Sequence, residues 1–376
     1  MKPDFIRGTD KDSFAWYTIT QRLPYIIDAV IKSNVYNHRQ VEKLEELKGE
    51  IPNGNLSTLH FNSCRDEFFL NDRNNWLEVP FIFAEFYFYK RLLECTEYFE
   101  TALDPFEKTK KDSLESKKDE IICAVNAVFK SEDLFKKLLY LNLWSNSADL
   151  SQINKMDSSF RHDNQDKILI DHSEEVCKLF KQRLAQTDII LDNAGFELSM
   201  DLILSFFLLE SKVSDMIYLH AKKYPIFVSD VTEADIKYTL NFFLQVCDSK
   251  LMKIGERIYN YIRNGKIVIS TDAFWTLPCS FINFDEAMKK HFENSDLTII
   301  KGDLNYRRIV EDRKWDHTID FNSITKYFPS NLLVIRTLKS EVVVGLDIET
   351  VKRLNAKEKN WLTSGDYGIL QLGLMH

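Results

Sequence analysis

The spacing of apolar residues changes partway along the chain. From Phe14 to Ile31 they recur mostly at three- and four-residue steps, which is the period of an amphipathic helix. Similar spacing runs from Pro80 to Tyr98 and from Asp119 to Leu143, whereas the charged and Ser-rich stretch from Phe106 to Lys118 is typical of a solvated loop. The pattern predicts an all-helical N-terminal region over residues 1–150.

After a polar stretch at residues 151–166, the apolar residues form short runs separated by helix-length segments. This is the pattern of parallel strands with crossover helices. The predicted strands are Thr187–Leu191, Met216–His220, Ile226–Val228, Lys266–Ile269, Leu297–Ile300 and Leu332–Ile335. We therefore expect residues 151–376 to form a three-layer, doubly wound α/β domain with a mainly parallel sheet.

Composition narrows the classes of partner. The 376 residues are 44% hydrophobic and 28% charged, which suits a packed globular protein, and the formal charge of -8 argues against nucleic acid or an anionic membrane as partner. No segment resembles a signal peptide or a membrane span, so a cytoplasmic location is expected, with the nucleus as a further compartment. The six cysteines include no CxxC pair and no Cys/His cluster at zinc-ligand spacing.

Polar residues follow several of the predicted strands, at the edge where open parallel sheets bind ligands. Asp192 and Asn193 follow the first strand, and Asp230 follows the third. Two carboxylates and an amide oxygen suit Mg²⁺ or Mn²⁺ and leave positions for water and a phosphate. The alternative is that each acid caps the next helix. Two acids and an amide at one crevice favour the metal site.

Cations and a further acid follow the later strands. Arg336 and Lys339 come after the last predicted strand and are suited to holding a phosphate, although an isolated surface cation is more often merely solvated. In phosphate-ester hydrolysis Asp303 would then act as general acid/base or as an anchor. A covalent route with Asp192 as nucleophile is less attractive, because Ala194 stands where such enzymes carry a second acid.

Two further segments carry weaker signals. Asn146 and Asp149 follow a predicted helix near the domain junction, where a plain helix end and turn explains them equally well. Trp275 follows the fourth predicted strand and would wall a substrate pocket, although aromatic residues more often belong to the core.

Nine segments together carry a family resemblance. In chain order they are Ser13–Pro24, Leu143–Ser151, Leu191–Leu198, Phe227–Asp230, Phe274–Pro278, Lys301–Arg307, Asp312–Trp315, Arg336–Lys339 and Gly365–Gly368. With them the chain resembles the DUF89 family of metal-dependent damage-control phosphatases, in the eukaryotic subfamily III that is marked by an RTxK motif. The resemblance covers nearly the whole chain, and the nine segments taken together are highly specific to this family.

This resemblance implies a helical N-terminal region packed on a Rossmann-like domain, with a catalytic metal held at Asp192, Asn193 and Asp230. It places Lys339 at the substrate. The segment that would line the substrate site comprises Asp303, Leu304, Asn305, Tyr306 and Arg307. Members act on small sugar phosphates such as fructose 1-phosphate and fructose 6-phosphate, and prefer Mn²⁺, Co²⁺ or Ni²⁺ to Mg²⁺.

The resemblance also brings an alternative activity, the S-adenosylmethionine-dependent O-methylation of protein glutamates, with Glu197 and Asp230 at the cofactor. The sequence gives it little support, because the turn from Asp192 to Glu197 holds one glycine rather than a glycine-rich loop. Glu197 is also explained as an acid in the first turn of a helix. A catalytically silent binding module would be expected to lack metal ligands, and none is missing. The sequence leaves any protein partner open.

Overall fold

The first part of the chain is helical, as the apolar spacing predicts. A computed structural model describes residues 2–56, 75–146 and 165–375. The helices of this part are Phe14–Tyr17 (α1), Leu23–Ser33 (α2), His38–Glu50 (α3), Phe81–Cys95 (α4), Tyr98–Thr101 (α5), Glu107–Ser116 (α6), Lys118–Phe129 (α7) and Leu134–Trp144 (α8). A π-helical turn, Thr18–Arg22, joins α1 to α2, so the predicted first helix is one continuous helical stretch.

Helix α6 shows that the prediction of a solvated loop at Phe106–Lys118 was wrong. Its buried face is formed by Lys110 and Leu114. Lys110 Nζ lies 2.9 Å from a carboxylate oxygen of Asp104 and 2.9 Å from one of Asp235. Because an ion-paired lysine occupies an inward position, this helix carries no apolar stripe that its sequence could reveal.

A seven-stranded sheet forms the centre of the second part and confirms the mixed α/β fold class. The strands are Ile168–Asp171 (β1), Leu184–Ile190 (β2), Ser214–His220 (β3), Ile267–Ser270 (β4), Leu297–Lys301 (β5), Leu332–Thr337 (β6) and Gly368–Gly373 (β7). Their order is β1-β7-β6-β5-β2-β3-β4, and every neighbouring pair is parallel except β6 and β7. The sheet is therefore mainly parallel, as predicted.

One predicted strand was wrong, and two strands were not predicted. Residues Ile226–Val228 form no strand, because Phe227 turns to a positive φ of 60° and packs against the ring of Phe86 at 5.1 Å and that of Tyr89 at 4.6 Å. Strands β1 and β7, at one side of the sheet, were absent from the prediction. They do not affect the strand ends that carry the site.

Helices cover both faces of the sheet. Those of the second part are Ser173–Leu179 (α9), Phe196–Glu210 (α10), Glu233–Gln245 (α11), Ser249–Arg263 (α12), Glu286–Glu293 (α13), Gly302–Ile309 (α14), Phe321–Thr325 (α15) and Ile348–Lys357 (α16). Ile190 belongs to one buried cluster and Ile189 to the other, so the β2 side chains alternate between two cores. Phe88 of α4 joins the first core and Leu139 of α8 the second, so the N-terminal helices contribute to both.

The predicted domain boundary near residue 150 lies outside the described residues and remains a prediction. Among the helices that the structure describes, none combines the length and the apolar character that crossing a membrane would require.

Candidate active site

Two loops at the carboxyl edge of the sheet are held together through their backbones. The loop after β2 carries Asp192 and Asn193, and the loop beyond β3 carries Asp230. Asn193 and Asp230 form an isolated β-bridge, and Ala194 N donates a hydrogen bond to Ser229 O at 2.7 Å. The backbone thus brings together the three side chains that the sequence predicted as metal ligands.

A third strand end lies against Asp192 at Gly302, the first residue of α14, which follows β5 directly. Gly302 has φ +82°, in the left-handed region that favours glycine, and a Cβ there would lie 1.8 Å from Asp192 Oδ2. The same carboxylate oxygen accepts a hydrogen bond from Asn193 Nδ2 at 2.6 Å. A side chain at position 302 would therefore have to displace the Asp192 carboxylate.

Three carboxylates are buried together here, those of Asp192, Glu197 and Asp230. Burial, and then the charges of Glu197 and Asp230, raise the pKa of Asp192 well above its ordinary value. Burial also raises the pKa of Asp230 to about 6, although Lys222 Nζ lies 3.4 Å from its Oδ2. The acids at this edge are therefore incompletely compensated by positive charge.

This set of donors fits a divalent cation. Asp230 Oδ2 is buried and accepts no hydrogen bond from any described residue. Asn193 offers an amide oxygen, which accepts a hydrogen bond from Ser229 Oγ. Carboxylate and amide oxygens are the ligands of hard divalent cations, and a dication supplies the positive charge that the buried acids lack.

The alternative role of helix capping is not observed for either acid. Helix α10, which follows Asp192, has Gly195 at its N-cap and no side-chain cap. Helix α11, which follows Asp230, is capped by Thr232 in a capping box with Asp235. Asp192 and Asp230 are therefore not occupied as caps of the helices that follow them.

The acids line a crevice of about 360 Å³ that also presents cations. Lys339 Nζ donates to Asn146 O and to Asn146 Oδ1, both at 2.6 Å, and burial lowers the pKa of Lys339. Arg22, from the π-helical turn, is exposed at the same crevice and makes no hydrogen bond or ion pair with any described residue. Its guanidinium is available to an anionic ligand.

Arg336 does not reach the crevice, which corrects the prediction that it holds a phosphate. Its side chain is fully buried, with its guanidinium 4.2 Å from the centre of the Tyr306 ring. Arg336 Nε donates to Asp303 Oδ1 at 2.9 Å, Nη1 donates to Val342 O at 2.7 Å, and Nη2 donates to Ser340 Oγ at 3.0 Å. Arg336 therefore positions Asp303 and the loop after β6.

Asp303 is the crevice residue that Arg336 holds. Its Oδ1 also accepts hydrogen bonds from Lys339 N at 3.0 Å and from Ser340 Oγ at 3.1 Å. Burial would raise the pKa of Asp303, but the charges of Arg336 and Arg307 outweigh it and hold the pKa below its ordinary value. Asp303 is thus ionised and fixed in orientation.

The segment after Asp303 divides between the crevice and the interior, as expected for a helix. Leu304 and Arg307 line the crevice, although the Arg307 guanidinium pairs with Glu85 at 2.6 Å. Asn305 and Tyr306 face the interior and do not line the crevice, which corrects their predicted place in the substrate site. Asn305 Nδ2 donates to Lys301 O at 2.9 Å, and Tyr306 Oη accepts a hydrogen bond from Val344 N at 3.0 Å.

Of the residues predicted as secondary members of the site, two line the crevice and one does not. Asn146 and Glu197 line the crevice, and Glu197 Oε2 accepts a hydrogen bond from Asn193 Nδ2 at 2.9 Å. Trp275 is buried in the core and does not line the crevice, which corrects its predicted role as a pocket wall. Asp149 lies outside the described residues.

Some residues of the crevice were not singled out from the sequence. Arg22, Glu85 and Tyr89 reach it from the N-terminal helical region. Glu85 interrupts the apolar run of α4 while remaining buried, and an acid inside such a run was the signal available. Arg22 stood inside a matching family segment, but its own sequence context gave no reason to select it.

The chain is similar to known proteins in sequence and in fold. Residues 18–354 match the family model described as the damage-control phosphatase ARMT1-like domain. The chain is 30% identical to damage-control phosphatase ARMT1 of Mus musculus over 430 residues and 30% identical to that of Homo sapiens over 439 residues, with 98% of each chain covered in both cases. A crystal structure of a DUF89 family protein from Pyrococcus horikoshii shares the fold, with a TM-score of 0.53 at 14% identity over 94% of this chain and 97% of that one.

Proposed function

Because this chain belongs to the ARMT1-like family of metal-dependent damage-control phosphatases, we propose that it hydrolyses small sugar phosphates of the fructose 1-phosphate and fructose 6-phosphate type. The proposal rests on one crevice in which buried acids face the exposed guanidinium of Arg22 and the partly buried ammonium of Lys339. Its volume of about 360 Å³ suits a small ligand.

Asp192, Asn193 and Asp230 would hold the divalent metal, for which Mn²⁺, Co²⁺ and Ni²⁺ are the proposed ions and Mg²⁺ a weaker one. When bound, such an ion supplies a Lewis acid that polarises a phosphoryl oxygen. Glu197 keeps the Asn193 amide in place through its hydrogen bond at 2.9 Å. Lys301 Nζ lies 3.6 Å from Glu197 and 2.8 Å from Asp201, so the acid behind Asn193 is itself held by a buried cation.

Arg22 and Lys339 would hold the phosphoryl group. A guanidinium can donate two parallel hydrogen bonds to phosphate oxygens, and Arg22 has no competing partner among the described residues. Lys339 Nζ is fixed by the two oxygens of Asn146, so its position is set before a ligand arrives. Cations at these positions stabilise the negative charge that grows on the phosphoryl oxygens during the reaction.

Asp303 would orient the sugar rather than supply a proton. Its Oδ1 is saturated by donors from Arg336, Lys339 and Ser340, while Oδ2 accepts no hydrogen bond from a described residue. Because its pKa is held below the ordinary value, the group is a carboxylate at neutral pH. We assign Asp303 Oδ2 to accept a hydrogen bond from a sugar hydroxyl.

Phosphate release tests the proposal. The purified chain is stripped of metal and incubated with fructose 1-phosphate and, in turn, Mn²⁺, Co²⁺, Ni²⁺ or Mg²⁺. We expect metal-dependent release that Asp192→Asn loses, because the amide has the shape of the carboxylate without its charge. Glu256→Gln, at an exposed acid of α12 that does not line the crevice, is the matched control.

The same preparation is offered S-adenosylmethionine with a labelled methyl group. No phosphate release with any of the four metals, from fructose 1-phosphate or fructose 6-phosphate, would overturn the proposed substrate class. Labelled methyl transfer to protein without phosphate release would favour the methyltransferase alternative instead.

A further inference from the structure

A second group of metal-ligand side chains lies away from the crevice. Asp188 is inside β2, His220 is the last residue of β3, and His291 is in α13; we call these three residues the histidine cluster. Ile190 pairs with His220 in the sheet, so Asp188, two residues before Ile190, projects from the same face as His220. At a rise of about 3.3 Å per residue, Asp188 lies roughly 13 Å along the chain from Asp192.

The three side chains of the histidine cluster converge on one point. His220 Nε2 lies 2.7 Å, and His291 Nε2 2.6 Å, from the same oxygen, Asp188 Oδ1. One ligand atom from each residue lies within 4.8 Å of the other two. The other carboxylate oxygen, Oδ2, accepts a hydrogen bond from Gln186 Nε2 at 2.8 Å. Small outward shifts of the two imidazoles would therefore make room for a cation between the three ligand atoms.

The charge of Asp188 also favours a cation. Its side chain is fully buried, and no Lys or Arg of the described residues forms an ion pair with it. Hydrogen bonds from Gln186, His220 and His291 offset part of the cost of burying this charge, and a dication would offset it directly. His291 remains 28% exposed, so solvent and ions reach the cluster from one side.

Aromatic rings enclose the inner side of the histidine cluster. The His220 ring lies 5.1 Å from that of Trp275 and 5.2 Å from that of Phe292, and the His291 ring lies 4.6 Å from that of Tyr218. These rings hold the imidazoles in orientation. They leave the His291 side as the route for an ion and for a water ligand.

We propose that the histidine cluster binds a divalent cation of the Zn²⁺ class through Asp188 Oδ1, His220 Nε2 and His291 Nε2, with one coordination position open to water. Two imidazoles and a carboxylate are donors that Zn²⁺ and its borderline neighbours take, whereas the crevice offers mainly oxygen. On binding, each imidazole gives its Nε2 lone pair to the metal, so the proton that Nε2 donates to Asp188 is replaced by the metal and the ring keeps its N–H on Nδ1.

The histidine cluster should bind zinc more weakly than a site in which every imidazole also donates its second N–H. Metal-bound imidazoles usually donate their second N–H to a carboxylate or a carbonyl. His220 Nδ1 is buried and has no hydrogen-bond partner among the described residues. We therefore expect reversible binding that a chelator removes readily.

Counting bound zinc tests the proposal. The tag-free, full-length chain is stripped with a chelator and dialysed to equilibrium against free Zn²⁺, and the bound metal is counted by mass spectrometry as the excess over the dialysate. His291→Gln is the main variant, because His291 is partly exposed and its replacement is least disruptive to the fold. We expect it to bind one Zn²⁺ fewer per chain than the natural sequence, whether or not the crevice also takes Zn²⁺.

Asp230→Asn separates the crevice from the histidine cluster, because any zinc at the crevice should disappear in that variant alone. His38→Gln, at an imidazole whose side chain is 96% exposed, is the matched control and should leave the count unchanged. Co²⁺ loading gives a second readout, since the visible absorption of a nitrogen-ligated Co²⁺ should be lost in His291→Gln and in His220→Gln. Equal zinc counts in His291→Gln and the natural sequence, with both shown to be folded by circular dichroism, would overturn the proposal.

Discussion

The crevice and the histidine cluster each contain an acid from β2 or from the loop that follows it, yet the pKa values of the two acids are shifted in opposite directions. Asp192 lies among other carboxylates, and its pKa is raised by burial and by those charges. Burial would also raise the pKa of Asp188, but hydrogen bonds from His220 and His291 hold it below its ordinary value. The neighbours of a buried acid, and not its place on the strand, therefore decide which ion suits it.

The two regions also differ in what they offer to a substrate. The crevice combines its acids with Arg22 and Lys339, which can receive an anion next to the metal. The histidine cluster is walled on its inner side by aromatic rings, and none of its residues lines the crevice. A metal in the crevice would thus lie beside cations that can bind a phosphate. A metal in the histidine cluster would lie away from those cations and would contact mainly its own ligands.

The largest effect is expected from Gly302→Ala, which tests whether the geometry of Asp192 is essential to the crevice. The new Cβ would lie 1.8 Å from Asp192 Oδ2, so the carboxylate must move. Because even indirect partners of a metal typically contribute about 10- to 100-fold, we expect kcat/KM for sugar phosphate hydrolysis to fall by at least about 100-fold.

Gly265→Ala is the matched control for Gly302→Ala. Gly265 also has a positive φ, +69°, but a Cβ there would meet no atom within 4 Å. It should therefore lose about 1 kcal/mol of unfolding free energy through backbone strain alone, with kcat/KM nearly unchanged. If both variants retain full activity, the close contact with Asp192 has no catalytic importance.

The next largest effect is the gain in unfolding free energy on Mn²⁺ binding, which should depend on the crevice and not on the histidine cluster. Mn²⁺ at about 100 times its Kd should add roughly 2.7 kcal/mol to the free energy of unfolding, because it binds the folded chain. Asp192→Asn should abolish that gain, and His291→Gln should keep it, since Mn²⁺ prefers the oxygen ligands of the crevice. Urea unfolding with and without Mn²⁺ measures this. A gain lost in His291→Gln but kept in Asp192→Asn would exchange the roles assigned to the two regions.

Sequence patterns anticipated the crevice better than the histidine cluster for a physical reason. Asp192 and Asn193 follow the apolar run of β2, and the carboxyl ends of parallel strands meet at one edge whatever the strand order. Asp230 was chosen from an apolar run that forms no strand, and it reaches the same edge because its loop is bridged to Asn193. Asp188, His220 and His291 are brought together by the pairing of β2 with β3 and by the packing of α13, neither of which a local pattern specifies. A charged residue inside the predicted strand Thr187–Leu191 was the one available signal.

The errors in the predicted fold have similar causes. Local spacing could not show that Lys110 faces inward, because its burial depends on two acids outside its own helix. Asp104 precedes the helix, and Asp235 lies far along the chain. Phe227 belongs to an apolar triplet that looks like a strand, but its ring is taken up by α4. Strand β7 contains two glycines and a glutamine, which weaken the strand pattern, and its antiparallel pairing with β6 supplies what the pattern lacks.

A smaller effect is expected from Arg22→Gln, which tests the anion-binding side of the crevice. The Arg22 side chain is exposed and makes no hydrogen bond or ion pair with a described residue, so the variant should unfold nearly as the natural sequence does. We expect kcat/KM to fall by about 10-fold, equivalent to about 1.4 kcal/mol of transition-state stabilisation. Arg39→Gln, at another exposed arginine outside the crevice, is the control. Equal losses in the two variants would remove Arg22 from the phosphate site.

The smallest expected effect is the pH dependence of Mn²⁺ binding at the crevice. The pKa of Asp230 is raised to about 6, so the acid is protonated below that pH and ionised above it. A protonated carboxyl does not bind a metal, so the contribution of Asp230 to the affinity should be present above pH 6 and lost as the pH falls through 6. Between pH 7 and pH 5 the apparent Kd should rise by about 10-fold for this one proton. Titration calorimetry at pH 5, 6 and 7 measures the change, and a Kd that stays constant over this range would show that Asp230 is not a ligand with a raised pKa.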